Sequence, residues 1–115
     1  MIKIALTGPE STGKTELSLQ LAEHFHAALE PELAREYVEN LDRDYTFEDV
    51  CDIARLQVEQ KLKYENIEDE NALVIFDTDL IITKVWLDYK FGNVPPFVTE
   101  RLSHRFMDLY LLCEP

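Results

Sequence analysis

The sequence predicts an α/β fold: a parallel sheet with helices packed on both faces. Apolar, strand-like runs alternate with helix-periodic segments along the chain, and such alternation builds parallel sheets through right-handed crossovers. The run Leu73-Val74-Ile75-Phe76 is apolar at every position, as a parallel strand buried on both faces requires. A glycine-bearing loop, Gly8 to Thr15, joins the first strand directly to the first helix.

The elements follow in order. Ile2-Lys3-Ile4-Ala5-Leu6-Thr7 is the first strand, and Leu17, Leu21, Ala22 and Phe25 then recur at helical spacing. His26-Ala27-Ala28-Leu29-Glu30 reads as a short second strand stopped at Pro31, and a short helix covers 35–41. Thr46-Phe47-Glu48-Asp49 carries a capping-box signature and opens a longer helix. Its Phe47, Val50, Cys51, Ala54, Val58 and Leu62 form one core-facing stripe, with charge on the opposite face. After the third strand, Asp77-Thr78-Asp79 leads into a helix over 80–91 that Gly92 closes. Pro95-Pro96 starts the next helix, through 106, and 108–113 is the fourth strand.

A chain of 115 residues with 46% hydrophobic content is long enough for one real core. It reads as a single domain over 1–115, with no repeat and no Gly/Pro-rich linker. The net charge of −12, from 23 acidic and 11 basic residues, argues against wrapping a nucleic acid backbone. No apolar run reaches the length of a membrane span and no signal-peptide pattern opens the chain, so a cytoplasmic location is expected. Cys51 and Cys113 are far apart without a C-x-x-C partner, which points to reduced thiols rather than a metal cage or disulfide framework.

The loop Gly8-Pro9-Glu10-Ser11-Thr12-Gly13-Lys14-Thr15 fits G-x-x-x-x-G-K-[ST], between the strand and the helix that this pattern needs. Gly8 and Gly13 free the backbone to turn successive N–H groups inward around a phosphate. Glu10, Ser11 and Thr12 contribute their backbone N–H groups, with the Glu10 side chain turned to solvent. The helix N-terminus adds its unpaired N–H groups and dipole. Lys14 would reach the β- and γ-phosphates of ATP, and the Thr15 hydroxyl would ligate Mg²⁺. These features predict a P-loop NTPase of the nucleoside- or nucleotide-kinase kind, with strand order 2-3-1-4 by analogy with such kinases.

Ligands of open α/β sheets gather at the carboxyl ends of the strands. Asp77 lies at that end of the third strand, where a carboxylate can hold Mg²⁺ as well as cap a helix. Asp79 is open between the two roles. Glu30-Pro31-Glu32-Leu33-Ala34-Arg35-Glu36 lies at the end of the second strand. A carboxylate there would accept the proton of an attacking hydroxyl and Arg35 would clamp phosphoryl oxygens, or the segment is simply an acid-rich first helical turn. Trp86, Tyr89 and Phe91 read either as core or as a stacking surface for a flat ring. His24, His26 and His104 show no metal spacing.

The phosphate loop, Glu32-Leu33-Ala34-Arg35-Glu36-Tyr37, and Phe76-Asp77-Thr78-Asp79 with Thr83-Lys84-Val85-Trp86 together resemble the ribosylnicotinamide kinase domain of NadR and its stand-alone NadR-like AAA-type ATPase relatives. The resemblance implies ATP-dependent phosphorylation of the 5′-hydroxyl of nicotinamide riboside. Lys14 and Thr15 would then serve the phosphates and Mg²⁺, Asp77 the metal or the substrate hydroxyl, and Glu32 with Arg35 the acceptor. Kinases of this kind continue past the fourth strand into an Arg-bearing lid and a final strand, so the chain is expected to be a partial domain. An ATP-binding regulatory or scaffolding module is the alternative expectation.

Overall fold

The computed structural model describes residues 1–8, 13–69 and 71–113. Its centre is a four-stranded, all-parallel sheet in the order β2-β3-β1-β4, the order expected from the sequence. Strand β1 (Ile2–Thr7) lies between β3 (Leu73–Asp77) and β4 (Leu109–Leu112), with Leu6 opposite Asp77 and Thr7 opposite Leu112. Strand β2 (Ala28–Glu30) flanks β3, Glu30 opposite Phe76. The carboxyl ends of the strands therefore converge on one rim.

Helix α1 (Lys14–Phe25) covers the face that carries Leu6, Ile75 and Cys113, where Leu21, Ala22, Leu29 and Leu111 also pack. The other face carries Ala5, Val74, Phe76 and Met107, against Tyr64 and Phe106. Beyond it, α3 (Phe47–Leu62), α4 (Leu80–Phe91) and α5 (Pro96–Ser103) share a helical core of Val50, Cys51, Ala54, Leu80, Leu87 and Val98. Each fully buried Leu or Val contributes about 1.5–3 kcal/mol over an exposed one. Both cysteines are free thiols and buried.

Several boundaries shift from the sequence-based expectation for identifiable reasons. His26 takes a left-handed conformation (φ 53°) and caps α1 with its N–H toward Ala22 and Glu23, so β2 starts only at Ala28. Helix α2 (Leu33–Glu39) starts directly after Glu32, which is extended as its N-cap. Helix α5 stops at Ser103 because Phe106 and Met107 are drawn into the sheet-side cluster, which extends the chain into β4. The capping box on α3 is formed: Thr46 Oγ1 accepts from Asp49 N and Asp49 Oδ2 accepts from Thr46 N.

The α3 stripe holds at Val50, Cys51 and Ala54 but turns in the second half, where Gln57, Gln60 and Lys61 are buried and Leu62 is 46% exposed. Phe25 on α1 is exposed too. Among the described residues no helix is long and apolar enough to cross a membrane.

Candidate active site

The rim at the carboxyl ends of β1 and β3 is shaped first by glycine. Gly8 has φ 140°, and a Cβ there would collide with the Cys113 carbonyl, so the loop leaves β1 in contact with the end of β4. Gly13, at φ 77°, is the left-handed N-cap of α1. A left-handed residue there costs glycine little, and the first N–H groups of a helix have no intrahelical partner. Lys14 follows, only 7% exposed, with no carboxylate within 4.0 Å among the described residues. A buried ammonium without a counter-charge pays desolvation that an anionic ligand relieves. Thr15 is exposed in the same turn, and its carbonyl accepts from Ser18 Oγ at 2.7 Å. Glu10, Ser11 and Thr12 lie outside the described residues.

Asp77 is 2% exposed, and its Oδ1 has no hydrogen-bond partner among the described residues. It lines a cleft of about 200 Å³ together with Thr15, Ser18, Glu32 and Arg35. Thr78 is held at φ 86°, and its N–H donates to the Leu6 carbonyl at 3.1 Å. For a β-branched residue this backbone costs on the order of 1–3 kcal/mol and persists only where the surroundings enforce it. Asp79 precedes α4 but makes no side-chain cap. Its Oδ1 sits 2.7 Å from Lys61 Nζ, an ion pair without the alignment of a hydrogen bond, and its Oδ2 accepts from Tyr110 Oη at 3.1 Å. Burial and the Asp79 charge push the Tyr110 phenol up to about 12. The sequence left Asp79 open between capping and metal binding; its side chain makes no cap and is instead paired with Lys61 and Tyr110.

A second, larger cleft of about 810 Å³ adjoins the first and shares Glu32 and Arg35 with it. It runs from Thr7, Gly8 and Lys14 past Thr78 and Thr83 to Tyr45 and Trp86. Glu32 is nearly buried and faces the half-exposed Arg35 guanidinium at 3.8 Å. Glu30 is withdrawn: Lys63 Nζ and Tyr64 Oη donate to its Oε1 at 3.1 and 2.7 Å. Of the two acids flanking Pro31, Glu32 alone lines the cleft. Trp86 is part core and part cleft wall, its Nε1 donating to Tyr45 Oη at 3.2 Å. Phe91 packs into the helical core, whereas Tyr89 is 91% exposed.

Tyr45 is carried on the loop before α3, and that loop is pinned by Asp49. Arg43 grips the Asp49 carboxylate with two nitrogens, at 2.6 and 3.1 Å, while Thr46 N and Tyr37 Oη also donate to it. Hydrogen bonds from Arg43 and the Thr46 backbone hold the Asp49 carboxyl far below the usual carboxylate range.

Sequence reasoning did not single out Tyr45, Lys61 or Tyr110, and it named Thr83 only within the motif Thr83-Lys84-Val85-Trp86, without a role. One signal was present for Lys61: it lies at helical spacing from Ala54 and Gln57, on the face that proves buried. Tyr45 left none, because it reaches Trp86 only through the tertiary fold.

The donor set suits a hard cation held partly by a nucleotide. Thr15 and Asp77 line one cleft, Asp77 Oδ1 is buried without a partner among the described residues, and there no cluster of three or more His, Cys, Asp or Glu forms a metal cage. Magnesium is commonly bound in that way, by one or two protein oxygens plus phosphates.

Comparison with known proteins bears on the family and the fold. A family model described as an AAA domain matches residues 3–115. Among solved structures, an NadR protein in complex with NR superposes with a TM-score of 0.79 at 28% identity, covering 96% of this chain and 33% of that one. An NadR protein in complex with NAD and AMP-PNP matches at the same score and identity, with 34% of its chain covered. Deoxyadenosine kinase from M. mycoides shares the fold at TM-score 0.67 and 18% identity, over 99% of this chain and 65% of that one. The chain thus spans about one third of the NadR chains it matches. No curated protein matches its sequence. With a family match over nearly its full length and a parallel sheet in the order β2-β3-β1-β4, the chain belongs to this AAA domain family and has the fold of an NadR-like P-loop kinase domain.

Proposed function

We propose that this chain is a small-molecule kinase domain that transfers the γ-phosphoryl group of ATP to the 5′-hydroxyl of nicotinamide riboside, yielding nicotinamide mononucleotide and ADP. One observation carries the reading: a single cleft of about 810 Å³ is lined by Gly8 and Lys14 at one end and by Tyr45 and Trp86 at the other, with Glu32 and Arg35 along it. The ligands named for the similar NadR structures, NR and AMP-PNP, are of the chemistry that such a cleft would take.

In-line transfer forms a bond from the acceptor oxygen to the γ-phosphorus as the bond between the γ-phosphorus and the bridging oxygen breaks, that oxygen leaving with ADP, so the protein mainly positions groups and neutralises charge. Lys14 neutralises the phosphoryl oxygens from a buried position. Glu32 accepts the hydroxyl proton, and Arg35 orients Glu32 and meets charge on the moving group. Tyr45 and Trp86 hold the acceptor's flat ring and exclude water. Thr15 and Asp77 would hold Mg²⁺, which would supply charge neutralisation on the phosphates.

The test is Mg-ATP consumption by this chain and by any longer native form, with and without nicotinamide riboside, beside a panel of ordinary nucleosides. Stimulation by nicotinamide riboside alone is the expected result. Equal stimulation by other nucleosides would reassign the acceptor, and ATP binding with no stimulation by any of them would replace the kinase with a regulatory nucleotide-binding module.

A further inference from the structure

In an uninterrupted strand the side chains of residues 77 and 79 would lie on the same face. Here they part. Asp77 shares its cleft with Thr15 and Ser18 of α1, on one side of the sheet. Asp79 meets Lys61 of α3 and Tyr110 of β4 on the other. The residue between them, Thr78, holds the left-handed backbone that breaks the alternation.

We propose that Lys61, acting through Asp79, is a positioning residue of the phosphate site: the buried Lys61–Asp79–Tyr110 clamp holds Thr78 left-handed and thereby keeps the Asp77 carboxylate on the side of the phosphate loop. The inference rests on the nucleotide-site reading of Asp77 given above and deepens it.

Three features of the structure support the clamp. The strained peptide is fixed from both sides, since the Thr78 N–H is tied to Leu6 O at 3.1 Å and the next residue is tied to Lys61 at 2.7 Å. Such a backbone persists only where its neighbours over-determine it. The long helix sacrifices a leucine for the pairing: Lys61 is 3% exposed while Leu62 beside it is turned to solvent. A buried ion pair of this kind is weak evidence for stability in itself, so its retention points to geometry. Finally, Asp77 Oδ1 is buried without a partner among the described residues, so none of their side chains orients that oxygen and the backbone at Thr78 is the constraint on it that they show. The clamp is to Asp77 what hydrogen-bonded outer groups are to metal ligands elsewhere.

The test uses the double variant Lys61→Met with Asp79→Asn, which leaves no lone buried charge, beside Lys61→Arg, which keeps the pair. Folded protein is established by circular dichroism. Calorimetric ATP titrations with and without Mg²⁺ then measure how much the cation strengthens ATP binding, and acceptor-dependent turnover is measured in parallel. The double variant should keep its metal-free ATP affinity within about twofold, lose about tenfold or more of the Mg²⁺ enhancement, and drop in kcat more than in acceptor KM. Lys61→Arg should restore most of both. A folded double variant with wild-type Mg²⁺ enhancement would overturn the proposal, because a purely structural ion pair would move melting temperature alone. A double variant that does not fold leaves the decision to Lys61→Arg and Tyr110→Phe: a loss of Mg²⁺ enhancement graded with the disturbance of the clamp supports it, and wild-type values in both overturn it. Wild-type protein that binds ATP in a Mg²⁺-dependent way without phosphorylating any acceptor would refute the kinase reading alone, since the clamp is read in the binding arm.

Discussion

The indole of Trp86 donates to the hydroxyl of Tyr45 at 3.2 Å, and the two rings meet edge to face with centroids 4.9 Å apart. Helix α4 is thereby joined to the loop before α3, and the pair becomes one rigid wall of the larger cleft. Its distance in sequence hid it, yet it is the largest aromatic surface facing that cleft.

Removing either half of this wall should separate binding of the ring from binding of the nucleotide. Trp86→Ala should raise the acceptor KM about tenfold or more through lost stacking, with ATP affinity within twofold of wild type. Tyr45→Phe keeps the ring but orphans the indole N–H, and should cost about 1 kcal/mol of stability. Steady-state kinetics and thermal melts on the two variants check this; an unchanged acceptor KM in Trp86→Ala would remove the wall from the site.

Lys14→Ala should weaken transfer roughly 100-fold or more while leaving the melting temperature of the ligand-free protein unchanged or higher. The expectation follows from its contacts: Lys14 forms no ion pair among the described residues, so its removal breaks none of theirs. A clear fall in melting temperature would mean that the lysine is a structural cation.

The pH dependence of stability should fall off at both extremes. Asp49 has a depressed carboxyl, so its contribution is present above the unfolded value of about 4 and is lost as pH falls through the lower folded value. Tyr64 and Tyr110 are raised from 10 to about 12, so their contribution is present below pH 10 and is lost as pH rises from 10 to 12. Denaturant titrations across pH, with Asp49→Asn and Tyr110→Phe, check this. Asp49→Asn should flatten the acid limb and Tyr110→Phe part of the alkaline one.

Gly8→Ala should be among the most damaging single changes. The new methyl meets the Cys113 carbonyl at a φ that other residues rarely adopt, which together should cost roughly 2–4 kcal/mol. A variant with wild-type unfolding midpoint and ATP affinity would show that the loop can leave β1 by another route.

Much of this architecture was legible before any coordinates because local chemistry and tertiary demand agree there. The Gly13 start of α1, the all-apolar third strand, the Thr46–Asp49 capping box and the Gly92 stop are each set by a few neighbouring residues. Asp77 was legible too, since a carboxylate ending a buried strand has few places to go. What stayed hidden depends on distant partners. Lys61 breaks the apolar stripe of α3 to meet a carboxylate on another element, and the α3 periodicity alone favours Leu62 for the interior. Glu30 and Glu32 look equivalent in the chain, and they part only because Lys63 and Tyr64 at the far end of α3 claim the first. Thr78 gave no warning of its left-handed backbone, because threonine is a residue that conformation normally excludes.

The contact between Gly8 and the Cys113 carbonyl ties the start of the chain to its last described strand. A ribosome that has made the motif Gly8 to Thr15 has therefore not yet made Cys113, whose carbonyl Gly8 packs against once β4 docks beside β1. On the nucleotide-site reading of this rim, affinity would then arrive late, with non-local strand pairing rather than with the local helix that carries Lys14. An ATP analogue added during refolding would draw forward only those molecules whose sheet is already complete, and its binding would serve as a clock for the final folding step.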